Sequence, residues 1–161
     1  MRTLGIDPGT ATTGWGVVDE INKKPVLVEY GVIKTSKHDP MSERLNVISH
    51  ELKLLFDKFK PDSVAVEKLF FSSNVTTAIK VGEARGVILL TAGTNGITPF
   101  EYTPLQVKMA LTGYGLADKK QIQYMVKNIL GLKEVPKPDD AADAIAIAVC
   151  HINSWRIGKI K

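Results

Sequence analysis

The stretch KPDDAADAIAIAVCH, Lys137–His151, combines two features that a single helix rarely carries together. From Ala141 to Cys150 the only residue that is not apolar is Asp143, so the segment predicts a helix buried on nearly all sides. Three aspartates, Asp139, Asp140 and Asp143, nevertheless stand in its first turns. Because a carboxylate is costly to bury without a partner, other parts of the chain must supply groups that interact with them.

Two further carboxylates follow apolar runs elsewhere in the chain. Asp7 closes RTLGID, and Glu67 lies near the end of SVAVEKLFF; each run predicts a buried strand. The segment 41–59 has apolar residues at three- and four-residue steps, which predicts a helical crossover between these strands. The two strands can then lie parallel, with both acids at one sheet edge, where α/β folds bind ligands.

The combined set of carboxylates predicts a site for a divalent cation. Asp140 and Asp143 are three residues apart, and Asp139 and Asp143 are four apart, so either pair can share one helix face. Spacing therefore leaves open which of the two is a ligand and which is a helix N-cap. Carboxylates that converge in an apolar centre repel one another, and Mg²⁺ or Mn²⁺ relieves that repulsion through oxygen ligands.

The remaining periodicity predicts a mixed α/β domain. Three strands joined by short turns pair antiparallel, and the segments after them alternate between helix and strand. The expected fold is a mixed five-stranded sheet with helices on both faces. It forms a single domain over residues 1–161, with a basic tail from about 154 to 161. The predicted strands are 2–7, 15–20, 25–35, 63–71 and 96–102, and the predicted helices are 41–59, 74–91, 104–110, 119–130 and 139–153.

Composition narrows the class of protein and favours a polyanionic partner. No apolar run is long enough for a membrane span, and the N-terminus carries no secretory signal pattern. The single cysteine, Cys150, allows no disulfide framework, so a cytoplasmic setting is expected. The net charge is +4, and the segment 103–137 holds six lysines against two acids. These lysines are consistent with nucleic acid as a partner, or with a solvated face kept for solubility.

Four ordered blocks closely resemble the RuvC family of crossover junction endonucleases. They are GIDPGTATTGWGVV (5–18), VAVEKLFFSSNVTTAIKVGEARGV (64–87), YTPLQVKMALTGYGLADKKQ (102–121) and KPDDAADAIAIAVCH (137–151). The resemblance implies a ribonuclease-H-like fold, a homodimer, and Mg²⁺-dependent nicking of two opposed strands at a four-way DNA junction. It also implies two Mg²⁺ ions per subunit, for which Mn²⁺ substitutes, and 5′-phosphate and 3′-hydroxyl ends. The branch-migration proteins RuvA and RuvB would be partners in recombination and repair.

The resemblance also assigns roles to individual residues. Asp7, Glu67, Asp140 and Asp143 match the family's catalytic acids, which makes Asp139 the expected N-cap. Lys108 and Lys119 match basic positions near the scissile phosphate, and the adjacent Lys120 could share their role.

Other matched residues lie outside the acidic set. Phe70 is expected to stack on an unpaired base, with Phe71 beside it, although either ring could pack in the core instead. Ala78, Gly82 and Gly86 predict a close helix approach, and the resemblance places their helix in the dimer contact.

Three other functions are compatible with parts of the sequence. GIDPGT also looks like the first phosphate loop of actin-like and sugar-kinase-like ATPases, but those proteins need two such domains and the chain is too short. Another ribonuclease-H-like nuclease, acting on ribosomal RNA precursor or RNA–DNA hybrid, is distinguished by comparing cleavage of junction and hybrid. A non-catalytic junction-binding module would not need the complete set of acids.

Overall fold

The computed structural model describes residues 1–68 and 75–158, with side chains through residue 155. Within these ranges it contains one five-stranded sheet and five helices. The strands are β1 (Arg2–Asp7), β2 (Thr12–Ile21), β3 (Lys24–Lys34), β4 (Ser63–Glu67) and β5 (Phe100–Tyr102). The helices are α1 (Met41–Phe59), α2 (Val75–Thr94), α3 (Pro104–Thr112), α4 (Lys119–Ile129) and α5 (Asp139–Gly158).

The sheet has the mixed topology predicted from the sequence, and β1 lies at its centre. The strand order is β3-β2-β1-β4-β5. β1 pairs antiparallel with β2 and parallel with β4, and β4 pairs parallel with β5. The crossover through α1 therefore brings the end of β4 beside the end of β1, as the parallel arrangement requires.

Helices cover both faces of the sheet, because side chains alternate between faces along each strand. Leu4 and Ile6 of β1 point to the side of α1 and α2, where they join a core that includes Ile48 and Ile88. On the other face, α3, α4 and α5 form a second core that contains every buried apolar residue of α5 from Ile145 onward. The near-continuous burial of α5 confirms the prediction made from its sequence.

Glycines in the two central strands let α5 lie directly on the sheet. A Cβ atom on Gly5 would collide with the carbonyl oxygen of Ala144, and one on Gly14 would collide with that of Asp140. Gly16, opposite Gly5 in the ladder, would collide with the side chain of Ile145. The position of α5, and of the aspartates in its first turn, therefore depends on these strands lacking side chains here.

Several element boundaries differ from those predicted. β2 begins at Thr12, because its pairing with β3 continues through the polar residues before Trp15. β4 ends at Glu67. α5 continues to Gly158, so residues 154–158 belong to the helix and not to a tail. Asp118 is the N-cap of α4, since its side chain accepts from the backbone N–H of Gln121. Residues 69–74 lie outside the described ranges.

None of the helices in the part of the chain that the structure describes is long and apolar enough to cross a membrane.

Candidate active site

Asp7 and Glu67 lie side by side at the ends of β1 and β4. The parallel register pairs Ile6 with Val66, so the next residue of each strand is an acid at the same sheet edge. Both side chains are only partly exposed. This confirms the juxtaposition that the two apolar runs predicted.

The first turn of α5 brings the other two acids to this edge. Gly14 is the ladder partner of Asp7, and the backbone of Asp140 lies against Gly14. Asp143 follows one turn later and lines a cleft together with Glu67. The acids thus come from three elements that are distant in sequence and meet because α5 packs on the centre of the sheet.

Electrostatic repulsion and burial act together on these acids. Burial raises the pKa of Asp7 to about 8, with further contributions from the charges of Glu67, Asp143 and Asp140. Burial also raises the pKa of Glu67 above its usual range, and the charge of Asp143 adds to this effect. The pKa of Asp143 is raised by burial as well, although Lys119 opposes the shift. The site therefore concentrates negative charge where the protein solvates it poorly.

Lys119 of α4 supplies a positive charge in contact with these acids. Its Nζ lies 3.0 Å from Oδ2 of Asp143 and 3.4 Å from Oδ2 of Asp139. The other oxygen of Asp139 accepts a hydrogen bond of 3.0 Å from Nε2 of Gln123. The expectation that Asp139 is an N-cap is wrong, because α5 begins at Asp139 itself and its carboxylate is directed to α4.

The sequence did not reveal this pairing of Asp139 with α4. The expected cap followed from the family resemblance, which assigned Asp140 to the catalytic acids and left Asp139 for the cap. The cap position instead belongs to Pro138, whose carbonyl accepts from the backbone N–H groups of Ala141 and Ala142. The only signal available was that Lys119 and Gln123 are four residues apart and so share one face of α4. That spacing does not indicate which helix the face meets.

A cleft of about 210 Å³ opens beside the acids. Lys108 and Lys119 line it together with Glu67 and Asp143. Both lysines predicted to lie near the reacting phosphate are therefore at the acidic edge. Lys120 is exposed and is not among the residues that line the cleft.

Threonines hold the loop that follows Asp7. The Thr13 hydroxyl donates to the carbonyl of Gly9 at 2.6 Å, and the Thr35 hydroxyl donates to the carbonyl of Thr10. Nε of the buried Arg44 in turn donates to the Thr35 hydroxyl at 2.8 Å. These bonds tie the loop to β3 and α1, so the end of β1 is fixed on both sides.

The donor set fits a hard divalent cation in its chemistry and its charge. It offers carboxylate oxygens alone, and burial together with their crowding raises the pKa of Asp7. Among the described residues, no three His, Cys, Asp or Glu side chains are close enough together to hold one ion. The side chains that could hold a cation here are those of Asp7, Glu67, Asp140 and Asp143, and they would have to come closer together to do so.

Comparisons with known proteins identify the family to which the chain belongs. The sequence model of the family described as "Crossover junction endodeoxyribonuclease RuvC" matches residues 3–151. The chain belongs to the RuvC family. The crossover junction endodeoxyribonuclease RuvC of Desulfitobacterium hafniense is 54% identical over 154 residues, which is 96% of this chain and 93% of that protein.

Two solved structures of Thermus thermophilus RuvC share the fold over nearly the whole chain. The first has a TM-score of 0.92 and 42% identity and covers 98% of this chain and 97% of that one. The second, described as in complex with Holliday junction substrate, has a TM-score of 0.90 and 40% identity with the same coverage. The ribonuclease-H-like fold of the RuvC family, predicted from the sequence blocks, is therefore confirmed.

Membership of the RuvC family makes the protein a nuclease of the metal-dependent kind. Not every residue that the family resemblance singled out is described. Phe70 and Phe71 lie outside the described residues. On α2, Ala78 is buried inside the subunit, Gly82 is half-buried, and Gly86 is exposed with no atom within 4 Å of a Cβ added there. The three residues therefore do not form a single contact surface.

Proposed function

We propose that this protein resolves four-way DNA junctions by paired Mg²⁺-dependent nicks in homologous recombination and repair. The observation that carries the proposal is the convergence of Asp7, Glu67, Asp140 and Asp143 beside a cleft lined by two lysines. The likeness over 98% of the chain to a RuvC solved with a Holliday junction supports four-way DNA as the substrate.

The four acidic residues would bind the metal ions. Asp7, whose pKa the charges of the other three acids help to raise, lies at the centre of the acidic set, and Asp7, Glu67, Asp140 and Asp143 would together hold the Mg²⁺ ions. Bound Mg²⁺ would supply an activated water for in-line attack and would stabilise the charge on the leaving 3′ oxygen. The products would be a 5′-phosphate and a 3′-hydroxyl, ends that a ligase can rejoin.

The two lysines that line the cleft would act on the DNA backbone. Ammonium groups make good phosphate contacts without reading bases, which suits a substrate recognised by its shape. Lys108 lines the cleft. Lys119 also lines the cleft and contacts Asp139 and Asp143. Lys120, exposed on the next position, would contact a more distant phosphate.

We further propose that the protein works as a homodimer through α2. One side of this helix carries a stripe of residues spaced by three, four or seven positions: Val75, Ile79, Gly86, Leu90 and Gly93. The three large side chains are exposed, Leu90 to 68%, and the two glycines have open space around them. A twofold partner would cover this stripe and would place two sites on opposed strands of one junction.

A charge on the α2 stripe is expected to break the dimer. Leu90→Glu should shift the protein toward a 17.6 kDa monomer in sedimentation at micromolar concentration, because a carboxylate would be buried between two apolar helices. Ile21→Glu, at another exposed apolar position at the end of β2, is the control and should stay dimeric. A wild-type protein that sediments as a fully active monomer would refute the dimer.

The two neighbouring aspartates of α5 are expected to differ in importance. Asp140 is among the charges that raise the pKa of Asp7, whereas Asp139 acts on Lys119 and Asp143. Asp140→Asn should therefore lose most junction cleavage without losing thermal stability, while Asp139→Asn should keep most of it at saturating Mg²⁺. An inactive Asp139→Asn beside an active Asp140→Asn would place the ligand one residue earlier.

The decisive experiment is a cleavage assay on a synthetic four-way junction. Symmetrically placed nicks that require Mg²⁺ or Mn²⁺ and can be sealed by a ligase are the expected result. An RNA–DNA hybrid and a linear duplex of the same sequence serve as control substrates. Preference for the hybrid would instead favour a nuclease of the ribonuclease H kind.

Addition of RuvA and RuvB would test these proposed partners, and cell fractionation would test the proposed cytoplasmic location.

A further inference from the structure

Four polar side chains join α4 to α5 at the edge of the acidic site. Lys119 and Gln123 are one turn apart on α4, and Asp139 and Asp143 are one turn apart on α5. Lys119 contacts both aspartates, and Gln123 donates to Asp139. The ammonium is thus shared between a carboxylate of the proposed metal set, Asp143, and one outside it, Asp139.

The two aspartates that contact Lys119 differ in how exposed their side chains are. The Asp143 side chain is 33% exposed and lies near Glu67, whereas the Asp139 side chain is 64% exposed. Gln123 binds Oδ1 of Asp139 and leaves Oδ2 free to face the ammonium. Asp139 is therefore oriented toward Lys119 by a neighbour that carries no charge of its own.

A divalent cation and the Lys119 ammonium compete for the same carboxylate. A cation that takes Oδ2 of Asp143 would displace Nζ, which lies 3.0 Å from that oxygen. If no other acceptor were present, the displaced ammonium would lose its ion pair at the moment of metal binding. Asp139 Oδ2 is only 3.4 Å from the same Nζ, so a small rotation of the lysine side chain keeps it paired.

We propose that Asp139 is a positioning residue that receives the Lys119 ammonium when metal takes Asp143. The exchange lowers the cost of metal binding and keeps Lys119 at the cleft, beside Lys108, where the phosphate is expected. Asp139 itself touches neither metal nor DNA in this scheme and acts only through Lys119. The inference rests on the proposed function, since it assumes that Asp143 is a metal ligand.

The test is a double-mutant cycle on Mn²⁺ binding, measured by calorimetry on the full chain without DNA. Asp139→Asn should weaken Mn²⁺ binding several-fold, because, of the two ion pairs that Lys119 makes with described residues, only the one with Asp143 then remains. Asparagine can still accept from Gln123, so the contact between the helices is retained. Lys119→Met should tighten Mn²⁺ binding, and adding Asp139→Asn to Lys119→Met should change the affinity little.

The cycle separates this role from a simple effect of charge. If Asp139→Asn weakens Mn²⁺ binding equally with and without Lys119, Asp139 attracts the cation directly and the proposal fails. The proposal also fails if Asp139→Asn leaves the affinity unchanged. Glu29→Gln, which removes a charge from the distant β3, is the control for net charge and should have no effect.

Two further measurements complete the test. Asp139→Glu should restore the affinity, because a longer carboxylate can still receive the ammonium. In junction cleavage, Asp139→Asn should need several-fold more Mn²⁺ yet reach a similar maximal rate; a fall in the maximal rate alone would contradict the proposal. A wild-type protein that binds no Mn²⁺ would instead refute the proposed function, so the two failures can be told apart.

Discussion

Replacing Asp7 by asparagine is expected to abolish junction cleavage while making the metal-free protein more stable. The amide cannot hold a divalent cation as a carboxylate does, so the nicking rate should fall to background. Junction binding should persist, since contacts with phosphates supply most of the affinity for DNA. Gel shifts in a chelator and cleavage assays in Mg²⁺ measure the two effects separately.

The stability gain has a defined pH dependence. In the unfolded chain the Asp7 carboxyl ionises near its ordinary pKa of about 4, whereas in the folded protein its pKa is about 8. Below pH 4 both states hold the proton and the wild type bears no cost. As the pH rises to about 8, the unfolded state releases its proton more readily, so the wild type progressively loses stability relative to Asp7→Asn.

Thermal melts without metal should therefore separate the two proteins as the pH increases. The Asp7→Asn variant should exceed the wild type in Tm by about 3 °C or more at pH 8, and by much less at pH 5. Asp57→Asn, on the exposed side of α1, is the control and should change neither Tm nor cleavage. An advantage of equal size at both pH values would contradict the raised pKa of Asp7.

A methyl group at Gly14 is expected to damage the fold and the site together. The added Cβ would collide with the backbone carbonyl of Asp140, and backbone cannot move aside as the end of a flexible side chain can. Helix α5 would have to shift from the sheet, at a cost of about 1–3 kcal/mol or more. Because Asp140 and Asp143 move with the helix, cleavage should fall by more than the loss of folded protein explains.

Asn46→Ala is the control for this substitution. It places the same methyl side chain at an exposed, uncharged position of α1, where alanine is the better helix former. Its stability, measured by urea denaturation, should equal or exceed that of the wild type. A Gly14→Ala protein that is as stable and as active as Asn46→Ala would show that α5 does not rest on β2 as described.

The sequence predicted the architecture well, because its strands and buried helix carry strong local patterns. RTLGID and SVAVE are apolar runs with an acid at the end, and parallel pairing alone brings Asp7 and Glu67 together. The burial of α5 followed from ten residues with a single charge. The strand boundaries were less accurate, since the pairing of β2 extends through threonines that read as a turn.

The finer contacts of the site could not be predicted, because they depend on how helices meet. Whether Asp139 caps α5 or pairs with Lys119 is decided by the position of α4, and no local pattern encodes that position. The small residues of α2 posed a similar problem. Ala78 turned out to face the interior and Gly86 to face outward, although both belong to one four-residue series.

The late position of α5 in the chain delays the appearance of the active site during synthesis. Ribosomes deliver the N-terminal part first, so the strands that carry Asp7 and Glu67 emerge well before the segment that carries Asp140 and Asp143. Until α5 emerges, no helix can pack against Gly5, Gly14 and Gly16 of β1 and β2, and the acidic set lacks Asp140 and Asp143. A nascent chain that lacks α5 should therefore be unable to cut DNA, and its nuclease activity should appear only after α5 has packed on the sheet.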